Sequence, residues 1–206
     1  MEKTLSDIQT RWTTEDPWAE EGRLAALCGD FDLTEIIDGQ EVVAYSPSFE
    51  HQNVLMKIAT KIIIHLQYHK TGELFLSPLD VILEEGRQRL QPDLIFIKNE
   101  RMSIAQDWIR GVPDMVCEIV SSGSYRYDAI KKRRIYEDYG VAEFWLVQPQ
   151  YKAIEVFTIA NGRYVQLCAA AEEGVITSEV IDGLEFDVRD IFAKERLIDK
   201  GVDGFA

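Results

Sequence analysis

The sequence carries little positive charge for its size. Among 206 residues, lysine and arginine number 22 against 36 aspartates and glutamates, which gives a formal net charge of −14. Binding to phosphate polymers draws its affinity from lysine and arginine, which release the polymer's counterions. This balance excludes a protein that is basic over its whole surface, and a polyanion would have to meet a local basic patch.

Cysteines and long apolar runs are also scarce. The three cysteines, Cys28, Cys117 and Cys168, are odd in number and widely spaced, which excludes a disulfide framework and a CxxC metal motif. The first residues lack the apolar stretch of a secretion signal, and no apolar run approaches the roughly 20 residues of a membrane span. No GxxxxGK phosphate loop occurs. We therefore expect a cytoplasmic protein with reduced cysteines, no membrane partner and no small-molecule cofactor.

The length and composition favour a single domain. Hydrophobic residues make up 46% of the chain, enough to fill one core, and no segment is of low complexity. Residues 1–30 are acidic and mixed, with one candidate helix around Trp18 to Leu27, and are predicted to be an N-terminal appendage. We predict one domain over residues 31–198 and a tail at 199–206.

The ordered pattern begins with a hairpin and a long helix. Two strand-like segments flank Asp38-Gly39, the pair that favours a tight hairpin turn. Ser46-Pro47 then offers a helix cap and a proline at the first helical position, and residues 49–70 have helical periodicity. One face of this helix is apolar and should be buried, with Val54, Ile58, Ile62 and Leu66. Another face is polar, with Lys57, Lys61, His65 and His69.

Extended segments and two further helices follow. Strand patterns occupy residues 73–83, 89–97 and 113–121, with a turn at Glu85-Gly86, and a charged helix from Tyr125 to Tyr139 stops at Gly140. Strands resume at 143–149 and 153–159, turn at Asn161-Gly162, and give way to a final helix over Val188 to Ile198. Because strands and helices do not alternate strictly, we predict an α/β (α+β) fold with a mixed central sheet flanked by helices.

Two acids stand where interior strands should hold apolar side chains. Alternation puts Asp93 on the same face as Ile95, and Glu118 between Val116 and Val120. Burying an ionised carboxylate costs several kcal/mol, so each acid needs a partner. A divalent cation between the two would supply it, and oxygen ligands favour magnesium or manganese over zinc. The alternative is that each acid pairs with an arginine or lies at an exposed strand end.

The helix after Glu118 supplies positive charge. Asp128, Lys132 and Tyr136 fall four residues apart on one stripe, where an amine could reach back towards the strand that carries Glu118. An ordinary surface pair between Asp128 and Lys132 is the alternative. A basic cluster surrounds the stripe and comprises Lys131, Lys132, Arg133 and Arg134.

Together these segments resemble a known family. RLQPDLIFI, PDMVCEIVSSGS, the Asp128, Lys132, Tyr136 spacing and GVAEFWLVQP resemble the bacterial putative restriction endonuclease family of the PD-(D/E)XK nuclease superfamily. EIIDGQEVVAYSPSFEHQ and SPLDVIL match the family too, so the resemblance spans residues 33–192. It implies a restriction endonuclease-like fold, with a mixed central sheet flanked by helices and with N-terminal and C-terminal helices.

The resemblance also implies an activity and a metal. Asp93 would be the acid of the PD motif and Glu118 that of the (D/E)XK motif, and both would hold Mg²⁺ or Mn²⁺ together with the carbonyl of Ile119. Val120 stands where the motif has its lysine, so Lys132 would be the substitute, with Lys131 as second choice. The implied reaction is hydrolysis of phosphodiester bonds in DNA.

Other family positions imply auxiliary residues. Glu35, His51 and Asp80 match the family pattern, as an auxiliary acid, a substrate or capping residue, and a structural or metal-supporting acid. Gln40 stands where the family commonly has an acid, and Glu41, one place later, would face the opposite side of its strand. An auxiliary acid from this hairpin is therefore an open question.

Several alternatives stay open. Contacts with DNA phosphates are assigned to Lys131, Arg133, Arg134, Lys57 and Lys61, although the two helix lysines could equally form a solvated face. The acidity, Gln40 and Val120 also suit a catalytically inactive binding module for nucleic acid or protein. A hydrolase of another phosphoester fits the charge without a motif of its own. A homodimer is a candidate because two-fold dimers are the commonest oligomers.

Overall fold

The strands divide between two larger sheets and a small ribbon. The computed structural model describes residues 33–43, 46–120 and 127–193, without the side chains of 127–129. The predicted appendage, the candidate helix within it and the tail lie outside these ranges. In chain order the strands are β1 Thr34–Ile37, β2 Gln40–Val43, β3 Gly72–Leu76, β4 Val81–Glu84, β5 Gln88–Leu90, β6 Leu94–Lys98, β7 Ile109–Arg110, β8 Met115–Ile119, β9 Glu143–Gln148, β10 Ala153–Ala160, β11 Arg163–Ala171, β12 Val175–Thr177 and β13 Glu185–Asp187.

Three α-helices accompany the strands in the described part of the chain, and the first is by far the longest. They are α1 Phe49–His69, α2 Arg133–Tyr139 and α3 Val188–Phe192, with a π-helical turn at Tyr127–Lys132 and 3₁₀ turns at Asn99–Ile104 and Pro149–Tyr151. No helix within the described ranges is long and apolar enough to cross a lipid bilayer.

Both larger sheets are assembled from strands distant in the sequence. One sheet has the order β2-β1-β5-β4-β7 and the other β11-β10-β9-β8-β6-β3, while β12 and β13 form the ribbon. The second sheet is mixed, since β8 runs parallel to β9 and antiparallel to β6. This confirms the predicted α/β (α+β) class with a mixed sheet.

The turns at Asp38-Gly39 and Asn161-Gly162 are confirmed. Asp38 and Gly39 have φ of 55° and 76°, and Asn161 and Gly162 have φ of 54° and 75°. Positive φ at both central residues is the geometry that Asn-Gly and Asp-Gly pairs favour, because its twist matches that of the flanking strands.

Helix α1 begins two residues later than a cap at Ser46 would place it. The N-cap is Ser48, whose backbone is extended and whose Oγ accepts from the amide of His51 at 3.2 Å. Pro47 therefore precedes the cap rather than opening the helix. The predicted inner face is confirmed: Val54, Ile58 and Ile62 are buried and Leu66 packs against the same core.

The segment predicted as one strand over residues 89–97 is two strands in different sheets. Strand β5 ends at Leu90 and β6 begins at Leu94, and the chain crosses between the sheets in the three residues between them. Pro92 has no N–H to donate to a ladder, which is why the pairing stops here. The crossing leaves Asp93 directly before β6.

The charged helix predicted from Tyr125 to Tyr139 has two parts. Its described residues form the π-helical turn and then α2, and it stops at Gly140, whose φ is 80°. Residues 125 and 126 lie outside the described ranges. The final helix starts at Val188 as predicted, behind an Asp187 cap, and its predicted residues 194–198 are likewise outside.

The six-stranded sheet is buried on both faces. One face packs against α1 through residues such as Leu94, Cys117 and Trp145. The other face carries Val116 and Val120 and packs against Ile135 and Tyr136 of α2. Because side chains alternate along β8, Glu118 faces the α2 side between the two valines.

A second buried acid lies at the start of β9. Glu143 is fully buried, and its carboxylate accepts from Trp145 Nε1 at 2.7 Å, Ser178 Oγ at 2.6 Å and the amides of Glu179 at 2.7 Å and Val180 at 3.2 Å. These four donors are neutral. Glu143 therefore anchors the loop before β13 to the central sheet.

Replacing this carboxylate should destabilise the fold. In Glu143→Gln an amide nitrogen would face donors, so we expect the free energy of unfolding to fall by about 2–3 kcal/mol. Urea denaturation measures the loss. Glu155→Gln, on the neighbouring β10 and only half-buried, is the matched control, and we expect it to change stability by less than about 0.5 kcal/mol. Equal losses in the two variants would contradict the anchoring role.

Candidate active site

The two strand acids lie opposite each other on neighbouring strands. Strands β6 and β8 pair antiparallel with Leu94 opposite Cys117. Continuing this register by one residue sets Asp93 opposite Glu118. Directly opposed residues of an antiparallel pair have Cβ atoms about 5 Å apart on one face of the sheet. The structure thus brings the two acids together at one end of the strand pair.

Two side chains, one from helix α2 and one from the turn before it, contact Glu118. Tyr136 donates from its hydroxyl to Glu118 Oε1 at 2.6 Å, and Lys132 Nζ lies 3.3 Å from Oε1 and 3.4 Å from Oε2. All three side chains are buried. The predicted stripe therefore points into the protein at Lys132 and Tyr136, whereas the side chain of Asp128 lies outside the described part.

A third carboxylate shares the same ammonium group. Lys132 Nζ lies 2.8 Å from Glu35 Oε1, and Glu35 is 3% exposed. The same oxygen accepts from the amide of Gln91 at 2.8 Å. Lys132 therefore links β1 to β8, and Glu35 is the hairpin acid in the site. Glu41, by contrast, is exposed on β2.

Asp93 is held by groups without a permanent charge. Its Oδ2 accepts from the amide of Ile119 at 2.7 Å and lies 3.2 Å from His51 Nε2, at the first turn of α1. Among the described residues no lysine or arginine pairs with Asp93, so the paired-arginine alternative does not describe this acid. The contact with Ile119 is through its N–H, and a metal-binding role for its carbonyl stays a prediction.

Asp80 belongs to the hydrogen-bond network behind Glu35. Its Oδ1 accepts from Gln91 Nε2 at 2.8 Å, and its Oδ2 lies 3.6 Å from a nitrogen of Arg89. Since the amide of Gln91 also binds Glu35, Gln91 connects the two acids. Asp80 thus supports the position of Glu35 from the five-stranded sheet.

The negative charge of the site affects the pKa of a buried thiol. Cys117 lies between Val116 and Glu118 on β8, with its side chain on the α1 side. Burial raises the pKa of Cys117 well above its usual range, and the charges of Asp93 and Glu118 raise that pKa further. Cys117 is therefore a protonated core residue.

The basic cluster spreads over several environments. Lys131 is the neighbour of the buried Lys132, but its own side chain is half-exposed. Its Nζ lies 3.2 Å from Asp38 Oδ2. This hydrogen bond is the main cause of the lowered pKa of Asp38. Arg134 is exposed and lies 3.8 Å from Asp138. Both line a groove of about 480 Å³, whose other residues are Asp38, Arg87, Gln88, Ile135, Asp138 and Tyr139.

Arg133 points elsewhere. Its guanidinium carbon lies 3.9 Å from the ring centroid of Phe157 on β10. A cation over an aromatic face gains about 0.5–2 kcal/mol, so this contact also serves packing.

The lysines of α1 contact α3. Lys57 donates to the carbonyl of Ala193 at 2.8 Å and Lys61 lies 2.6 Å from Asp190 Oδ2, while His65 Nε2 lies 2.9 Å from the carbonyl of Asp182. The two lysine contacts join α1 to α3 and the residue after it, and the histidine contact joins α1 to the loop before β13. A phosphate would have to compete with them.

Two contact residues are not assigned to the site by the sequence. The stripe of residues 128, 132 and 136 includes Tyr136 without giving it a function, and its spacing of four from Lys132 is the available signal. Gln91 gave no local signal, because its contacts join strands distant in the sequence. Among the described residues, no group of three or more His, Cys, Asp or Glu side chains is arranged to hold a metal ion by itself.

Comparison with known families identifies the chain. The family model Uma2, described as "Putative restriction endonuclease", matches residues 24–189, which is most of the sequence. The chain belongs to the Uma2 family. This confirms the resemblance on which the fold expectation rested. None of the curated proteins compared with the chain matches it.

A solved structure has the same fold as this Uma2 protein. It is a putative nuclease belonging to DUF820 from Anabaena variabilis ATCC 29413, with a TM-score of 0.63 and 17% sequence identity. The match covers 77% of this chain and 89% of the other. At this identity the likeness shows the fold, which agrees with the predicted nuclease-type fold.

The position of α2 in this Uma2 chain depends on a pair with β11. Glu137 accepts from Arg163 at 2.6 Å and from the amide of Tyr164 at 2.7 Å, and these contacts, led by Arg163, lower the pKa of Glu137. A lowered folded-state pKa gives stability that is present above the unfolded pKa of about 4.3 and is lost as the pH falls through the folded value.

We therefore expect Glu137→Gln to destabilise the protein by about 1 kcal/mol at pH 7. The difference from wild type should shrink in acid and vanish once the pH has fallen below the lowered folded-state pKa of Glu137. Urea denaturation across this pH range measures the difference. Asp138→Asn, which alters the exposed neighbour, should leave stability unchanged at every pH. A Glu137→Gln deficit that persists undiminished in acid would show that the charge does not anchor the helix.

Proposed function

We propose that this Uma2 protein is a metal-dependent endonuclease that hydrolyses phosphodiester bonds in DNA. The observation that supports it best is the buried ammonium of Lys132, 2.8 Å from Glu35 and 3.3 Å from Glu118, where Asp93 lies opposite Glu118. The family description and the DUF820 neighbour's title, which both name nucleases, point the same way.

The donor atoms suit a hard divalent cation. Asp93 and Glu118 offer carboxylate oxygens from opposed positions, and Asp93 has no permanent positive partner among the described residues. Magnesium is commonly bound through one or two carboxylates, with waters and substrate phosphate completing its shell, so no closed cage of protein ligands is required. Asp93 and Glu118 would hold Mg²⁺ or Mn²⁺, with the carbonyl of Ile119 as a third candidate ligand.

The chain's own groups have distinct roles in this proposal. The bound cation would polarise the phosphate and acidify a water molecule. Lys132 Nζ donates to the attacking water or to a phosphate oxygen, and so steadies the negative charge that develops. Glu35 and Glu118 fix this ammonium from two strands, which limits its reorganisation during the reaction. His51 and the amide of Ile119 orient Asp93.

Lys132 fits the lysine role better than Lys131. Lys132 is 5% exposed and contacts two carboxylates of the site, whereas the amine of Lys131 reaches Asp38 at the tip of the hairpin. A donor already fixed in a partly water-excluded site acts on developing charge more strongly than a solvated one. Lys131 is therefore assigned to substrate contact.

DNA would approach along the groove beside the site. Lys131 and Arg134 line it, and their pairs with Asp38 and Asp138 are exposed. Exposed ion pairs contribute at most about 1 kcal/mol, so a phosphate can replace the carboxylate partner at low cost. The other basic candidates are held more closely. Arg133 lies over the ring of Phe157, and Lys57 and Lys61 contact Ala193 and Asp190. Each would have to give up its present contact before it could bind a phosphate.

Removal of any of the three central groups should abolish cleavage. We expect Asp93→Asn, Glu118→Gln and Lys132→Met to slow the nicking of supercoiled plasmid in Mg²⁺ or Mn²⁺ by on the order of 100-fold or more. Gel electrophoresis of time courses gives the rates. Glu185→Gln and Lys152→Met, which change exposed residues of the same types, should cleave as wild type does.

Two outcomes would count against this function. Cleavage that survives Asp93→Asn and Glu118→Gln would place the activity elsewhere. Absence of cleavage, together with no magnesium-dependent rise in the melting temperature of the wild type, would favour an inactive binding module, because a ligand that binds the folded state must stabilise it. Circular dichroism at the assay temperature verifies folding, since loss of Lys132 leaves buried carboxylates without their ammonium.

The groove residues should affect binding rather than chemistry. We expect Lys131→Gln and Arg134→Gln each to raise KM with little change in kcat, because each removes a phosphate contact distant from the scissile bond. Each variant should also lower the slope of log K against log salt concentration by about one. Fluorescence anisotropy with a labelled duplex across a salt series measures this.

Lys152→Gln, an exposed lysine outside the groove, is the control for nonspecific loss of charge. Its slope and KM should match those of the wild type. If all three variants shift the slope alike, the groove is not the DNA contact surface.

A further inference from the structure

The hydroxyl of Tyr136 occupies one oxygen of the central glutamate. It donates to Glu118 Oε1 at 2.6 Å from a buried position. Lys132 Nζ lies 3.3 Å from the same oxygen and 3.4 Å from Oε2. Oε1 therefore has the shorter contact with the ammonium as well as the hydrogen bond from the phenol. A buried O–H···O bond of this length to a carboxylate is charge-assisted and among the stronger kinds.

This contact bears on how Glu118 can coordinate a cation. Each carboxylate oxygen has two lone-pair sites. On Oε1 the phenol of Tyr136 takes one site and the ammonium of Lys132 lies 3.3 Å away, which crowds out a metal ion. A carboxylate held in this way binds a cation through one oxygen. Binding through both oxygens would require the hydroxyl of Tyr136 to give up its bond and remain unsatisfied in a buried place.

The number of carboxylate oxygens matters for the choice of cation. Magnesium demands six ligands in a near-ideal octahedron at about 2.1 Å, which a single carboxylate oxygen can join. Calcium takes six to eight ligands at about 2.3–2.6 Å and often uses both oxygens of one carboxylate. A glutamate restricted to one oxygen therefore favours the smaller ion.

From this geometry we infer that Tyr136 is a specificity-determining residue that makes the site prefer magnesium over calcium by restricting Glu118 to one-oxygen coordination. The inference rests on the proposed function, because it requires Glu118 to be a cation ligand. Tyr136 is a positioning residue: it acts through Glu118 and does not touch the reacting phosphate.

A second buried tyrosine provides a matched control. Tyr164 packs in the same core cluster as Tyr136, and its hydroxyl donates at 2.9 Å to the carbonyl of Val141. Tyr136→Phe and Tyr164→Phe thus each remove one buried, hydrogen-bonded hydroxyl, and only the first touches Glu118. A general effect of losing a hydroxyl would appear in both variants.

The test is a set of calorimetric titrations with MgCl₂ and CaCl₂ on the full-length wild type and both variants, without DNA. We expect the ratio of the calcium Kd to the magnesium Kd to fall by about threefold or more in Tyr136→Phe, the equivalent of one hydrogen bond, and to be unchanged in Tyr164→Phe. The ratio is the diagnostic quantity, because a change in site charge alone would move both constants together.

Each result has a defined meaning. A wild type that binds neither ion overturns the metal-dependent function and this inference with it. A wild type that binds magnesium while Tyr136→Phe keeps the wild-type ratio, or changes it no more than Tyr164→Phe does, overturns only the inference. If Tyr136→Phe does not fold, Tyr136→Met, whose flexible side chain can fill the same space, replaces it with the same expected ratio.

Discussion

A single buried ammonium group is the constraint on which the site depends. Lys132 carries a full charge into the interior, where an ion without partners costs several kcal/mol. Two carboxylates from different sheets, Glu35 on β1 and Glu118 on β8, compensate it at 2.8 Å and 3.3 Å. Because neither acid can be buried without the lysine, the hairpin, the central sheet and the segment leading into α2 adopt one arrangement together.

The distribution of charge explains how so acidic a chain could act on a polyanion. The interior of the site is rich in carboxylates, and Asp93 and Glu118 contribute to the raised pKa of Cys117. The groove beside it carries Lys131 and Arg134 in exposed ion pairs that are easily exchanged. A cation would be drawn to the interior and a phosphate chain to the groove, although the net charge of the whole chain is −14.

Burial of an acid alone does not mark a functional site. Glu118 and Glu143 lie on neighbouring parallel strands and both are buried, yet their surroundings differ. Neutral donors from Trp145 on β9 and from the loop before β13 surround Glu143, which satisfies its oxygens and leaves no chemical role for it. Glu118 is held by a lysine and a phenol and faces another acid across the ladder, an arrangement that suits binding a cation and a substrate.

Local pattern by itself determined a good part of this protein. Alternation placed Asp93 and Glu118 among interior aliphatics, a spacing of four placed Lys132 and Tyr136 on one stripe, and Asp-Gly gave the hairpin turn. Such features depend on neighbours within a few residues, and the periods of strands and helices express them directly.

Only the tertiary structure decided which of these residues meet. The β6–β8 register sets Asp93 opposite Glu118, and the packing of the two sheets brings Glu35 to Lys132 through the contacts of Gln91. Lys131 and Lys132 have the same charge and adjacent numbers, but the rotation between successive helical residues sends one to the groove and the other into the core. Register and partner choice depend on contacts between segments far apart in the chain, and for these no local period carries the information.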